Sequence, residues 1–176
     1  MPQLHHQYCN NGCLEIALSS DPDVIIVERV CYEMLVGSCG SKHINRYITH
    51  RPDGSKLLVL PGSDCEPHGI KTVIHWMEEA HIGGHLGPLP RRMSADFFTM
   101  CCAERGLRVL NLTKAADNMR SVAHSFATKY MSAVGIASYK AVLQNMPPHD
   151  YFVECLLDLI RSELESIIDQ EKKHRN

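Results

Sequence analysis

The chain has 176 residues, a formal net charge of −2 and ordinary globular proportions, 44% hydrophobic and 22% charged. That length suits one domain with a core large enough to be stable alone, and the composition excludes a disordered chain. The slight acidic balance argues against a protein dominated by phosphate-backbone contacts, which carries a basic surplus, so a nucleic-acid partner is not expected.

No stretch reaches the roughly 18 apolar residues that a membrane helix needs, so no membrane partner is expected either. The opening residues Met1-Pro2-Gln3-Leu4-His5-His6 have neither the basic nor the apolar region of a secretory signal. A nuclear or cytoplasmic location follows as the expectation. The eight cysteines then read as free thiols, because reducing compartments disfavour disulfides.

Taken in order, residues 1–12 are polar and read as a loose leader. Residues 13–18 alternate like a strand, with Leu14, Ile16 and Leu18 on the core face. Asp21-Pro22-Asp23 fits a hairpin turn, since proline presets one dihedral and aspartate bonds the turn backbone. Val24 to Val27 follows as a second strand. Residues 30–49 read as two short helical pieces. Val30, Met34 and Leu35 make one apolar stripe, and Ile44, Tyr47 and Ile48 make the other, with Gly37, Cys39 and Gly40 between them. His50-Arg51-Pro52-Asp53-Gly54 is a loop, and Leu57 to Leu60 is a third strand stopped by Pro61-Gly62.

Asp64 and Glu66-Pro67 open a helix over 67–82, where acidic groups suit the positive end of the helix dipole. Ile70, Val73, Ile74 and Met77 give it a core stripe, and Gly83-Gly84 ends it. The segment from His85 to Arg92 is a surface connection. Ser94 is placed to cap the next helix, which carries Phe97, Phe98, Met100 and Cys101 and ends or bends at Gly106. Leu107, Leu110 and Ala115, then Met119, Val122, Phe126 and Met131, continue the helical spacing until Gly135. A last helix near 150–170 shows Phe152, Leu156, Leu159, Ile160, Leu164, Ile167 and Ile168 on one broad face, which needs a partner in this chain or another. The organisation is therefore α+β: a leader of 1–12, a domain of 13–135 with a small three-stranded sheet flanked by a helical cluster, and a C-terminal helical extension of 136–176.

The 11 histidines and the cysteines form two ligand-like groups. One is His5, His6, Cys9 and Cys13; the other is Cys65 and His68 with His75, His81 and His85. Zinc needs four converging donors, and neither group has the paired short spacings of a zinc module. No metal and no cofactor is expected, and these histidines read as surface groups. Cys101-Cys102 sits among Phe97, Phe98 and Met100, where a thiol acts as a small hydrophobe and not as a nucleophile. Gly37-Ser38-Cys39-Gly40-Ser41-Lys42 lacks phosphate-loop spacing and reads as a helix break. Arg91, Arg92, Arg105 and Arg108 read as a solvated charged face, with Arg105 and Arg108 sharing one side of a helix. Trp76 either anchors a partner or completes the core.

The order of these elements resembles the BTB/POZ fold, in the shortened form seen in BTB-like proteins of filamentous fungi. Leu14 to Leu18 with Val24 to Arg29 is similar to the family's opening strands, and Val30 to Ile48 to its helical pair. Leu58-Val59-Leu60-Pro61, then Glu66 to Ile70 and Val73 to Met77, is the closest stretch. Phe97 to Leu112, with Ala103-Glu104-Arg105-Gly106-Leu107, is similar to the following helices. The resemblance spans about residues 13–130. It implies a non-enzymatic protein–protein interaction module, an adaptor or scaffold whose partners are another copy, a cullin-type ubiquitin ligase scaffold or a nuclear regulatory complex. By position, the partner-facing surfaces would lie on 30–48 and 83–96. The residues expected to meet partners are Met34, Tyr47, Trp76, Arg91, Arg92, Phe152, Leu156, Ile160 and Leu164. The alternative is a small metal-binding protein or enzyme that uses the Cys/His surplus.

Overall fold

The computed structural model describes residues 12–62, 67–83, 96–129 and 136–175. They form an α+β fold with a small mixed sheet. Strand β1 (Cys13–Leu18) pairs antiparallel with β2 (Asp21–Cys31) and parallel with β4 (Lys56–Leu60), and β3 (Ile48–His50) adds antiparallel to β4. The order is β2-β1-β4-β3, so the sheet has four strands where three were expected. The added strand comes from a residue pair read as helical. The backbone leaves the helical path at Tyr47, and Ile48–His50 takes up the free edge of β4. An edge strand offers unpaired backbone groups, and satisfying them outweighs the helical spacing of Ile44, Tyr47 and Ile48.

The first hairpin also differs from expectation. Its turn is Ser19-Ser20, and Asp21-Pro22-Asp23 already belongs to β2. β2 is an edge strand, where a proline without N–H leaves no ladder bond unmade. Register shifts interrupt the β1–β2 ladder, and Arg29 has φ 57° inside one of them. That irregularity lets Val30 and Cys31 turn inward after Glu28 and Arg29 face solvent. In β1, Leu14, Ile16 and Leu18 are buried as the alternation requires, and Ala17 is buried too, because β1 lies between β2 and β4.

Helix α1 (Tyr32–Cys39) and helix α2 (Ser41–Arg46) meet at Gly40, whose φ of 89° is open to glycine at little cost. The loop after β3 closes on Asp53, whose carboxylate accepts hydrogen bonds from the Ser55 N–H at 2.9 Å and its hydroxyl at 2.7 Å. The Ser55 hydroxyl, then its backbone N–H, hold the Asp53 carboxyl below its usual range. Helix α3 (Pro67–Gly83) buries Ile70, Val73, Ile74 and Met77, the stripe read from the sequence.

Helix α4 (Phe97–Val109) is capped by Asp96, whose carboxylate accepts from the Thr99 N–H at 2.9 Å. Ser94 and the acidic opening at 63–66 lie outside the described residues. Gly106, expected to end or bend this helix, lies in its interior. A Cβ there would stand 2.9 Å from the backbone of Gly69, and a Cβ on Gly69 would stand 2.1 Å from the Cys102 carbonyl oxygen. The two glycines let α3 and α4 cross with backbone nearly touching backbone, so Gly106 answers a packing demand. Helices α5 (Thr113–Lys129), α6 (Ile136–Asn145) and α7 (Tyr151–Arg175) follow. One continuous core joins the sheet to all of these helices. Phe97 meets Tyr139 of α6 and Phe152 of α7 edge to face, with ring centroids 5.3 and 5.9 Å apart. The C-terminal helices therefore share the core of residues 13–129.

Candidate functional site

Of the residues expected to meet partners, Met34, Trp76, Phe152 and Leu156 are buried in this chain's own core. Trp76 completes the core beside Met77 and is no surface anchor. Tyr47 is half-buried, with its ring edge to face against His43 at 5.3 Å. Arg91 and Arg92 lie outside the described residues, as does most of the 83–96 connection. Ile160 is half-buried and Leu164 is exposed.

The last two belong to a surface that the fold leaves open. The first turns of α7 pack inward through Phe152, Val153 and Leu156, with Leu159 against the same core. From residue 161 to 173 every residue of α7 is exposed. Along that side of the helix Leu157 is 48% exposed, Leu164 54%, Ile167 47% and Ile168 50%. The broad apolar face read from the sequence is thus divided: its first half closes the core and its second half is about half exposed. Leu157, Ile160, Leu164 and Ile167 repeat at 3-4-3 spacing, which keeps them in one row along a helix.

At the base of α7 lies a cleft of about 380 Å³, whose lining includes Glu104, Arg105, Arg108, Arg120, Asp150 and Tyr151. Glu104 is only 2% exposed, and its Oε1 accepts from the guanidinium groups of Arg108 at 2.5 Å and Arg120 at 2.7 Å. Arg108 also reaches Asp117 at 2.8 Å, and Arg105 reaches Asp150 at 2.5 Å. The guanidinium of Arg120 lies 4.3 Å from the ring centroid of Tyr151, and its Nε is buried without a hydrogen-bond partner among the described residues. The hydrogen bond to Cys155, then burial, push the Tyr151 phenol above its usual range.

This arrangement corrects the reading of Arg105 and Arg108 as a solvated face: each guanidinium is tied to a carboxylate. Three arginines face three carboxylates, and the cluster ties α4 to α5 and to the turn before α7. The spacing of Glu104 and Arg108 was a legible i, i+4 signal. Arg120 and Asp150 come from 16 and 46 residues beyond Glu104, and nothing in the sequence joins them to it.

Of the second ligand-like group, His68, His75 and His81 are described, all on α3. His68 and His75 line an open groove on α3 with Lys71, Thr72 and Thr99, and His75 lies 3.7 Å from Glu79. Cys65, His85, His5, His6 and Cys9 lie outside the described residues. Among the described residues no three His, Cys, Asp or Glu side chains are grouped to hold a metal. Cys31, Cys39, Cys101 and Cys155 are free thiols. Burial pushes the Cys39 thiol up to about 12 and the Cys101 thiol higher still, which keeps both protonated and inert. Among the described residues no helix is long and apolar enough to cross a membrane.

Comparison with protein-family models, with curated proteins and with solved structures finds no match to this chain.

Proposed function

We propose that this chain is a non-enzymatic protein–protein interaction module of BTB/POZ type, an adaptor or scaffold that works by presenting packed surface. The observation that carries the reading is the uncovered apolar row of α7, with Leu157, Leu164, Ile167 and Ile168 each about half exposed on a helix whose base is anchored in the core. Large apolar side chains grouped on a surface mark an interaction site. The order β1, β2, α1, α2, β3, β4, α3, α4, α5 supports the BTB/POZ type, since strand pair, helical pair, strand and helical cluster follow one another as the resemblance implies, with the short β3 added before β4. The partners that resemblance suggests are a second copy, a cullin-type scaffold or a nuclear regulatory complex. The residues best placed to meet them are Leu164, Ile160 and Tyr47.

The test is direct binding of the purified chain to itself and to a purified cullin-type scaffold, followed by calorimetry and sedimentation. A stable complex with either supports the proposal. A chain that stays alone with both overturns it.

A further inference from the structure

We draw no further inference here: the strongest candidate, the half-exposed apolar row of Leu157, Leu164, Ile167 and Ile168 along the distal half of α7, carries nothing, because nothing in the structure shows what covers it.

Discussion

Individual side chains in this protein are held by environments that make opposite demands on charge. Cys39 lies in the core beside Met34 and Leu35, and burial lifts its thiol from 9.0 to about 12. Below 9.0 the thiol is protonated both in the fold and in the unfolded chain, so it does not favour either state. Between 9.0 and about 12 the unfolded chain gives up the proton while the fold retains it, so stability falls across that interval as pH rises. Denaturant titrations from pH 8 to 11 are expected to show this decline, and Cys39→Ala to flatten part of it. In native protein at neutral pH, Cys39 and Cys101 should react with a thiol reagent far more slowly than in denaturant. Glu104 shows the reverse demand, a charge kept in the core because two guanidinium groups satisfy it. Glu104→Ala leaves them facing the gap. Both arginines are 35% exposed, so water recovers part of the loss, and the expected cost is about 2–3 kcal/mol in denaturant unfolding. Glu104→Gln keeps the volume and one acceptor and is expected to cost less.

Secondary-structure elements are placed by contacts that local pattern registers unevenly. The stripe Ile70, Val73, Ile74 and Met77 was legible because a helix on a core repeats every three or four residues, and the fold uses all four. The break at Gly40 was legible for the same local reason. Ile48 was not, since its place in β3 depends on β4, reached only after the loop of Arg51–Ser55. Gly106 was misread because a glycine in a helical pattern signals a break unless another backbone needs its space, and the partner Gly69 is 37 residues away. The candidate site divides in the same manner: the α7 row is a property of one segment and was visible, while the Glu104 cluster draws on three. The glycine crossing has a measurable consequence. Gly69→Ala forces α3 away from α4 and is expected to cost about 3 kcal/mol, despite alanine's better helix propensity. Gly106→Ala should cost somewhat less, since its nearest clash is milder. Gly37→Ala, in α1 with open space around its Cβ, is expected to raise stability by about 0.5–1 kcal/mol. Thermal melts of the three variants separate a packing glycine from a neutral one.

At the scale of the whole molecule, α7 has two parts with different duties, and shortening the chain separates them. Phe152, Val153 and Leu156 are in the core, as is Met146 before them. A chain ending at Asn145 loses all four, together with the Asp150 carboxylate that holds the buried Arg105. At roughly 1.5–3 kcal/mol for each buried side chain, that deletion removes about 6–12 kcal/mol. Domains of this size are stable by about 5–15 kcal/mol, so this form is expected to unfold or to populate unfolded chain heavily, seen as loss of the cooperative thermal transition. A chain ending at Ile160 retains every residue of α7 described as buried and loses, among the described side chains, only exposed ones, so its melt should stay within a few degrees of the full chain. Any binding through the exposed row should disappear, because Leu164 and Ile167 have gone. If the shorter form melts far below the full chain, the distal half of α7 supports the body, and its exposed row is not a surface held in reserve for another molecule.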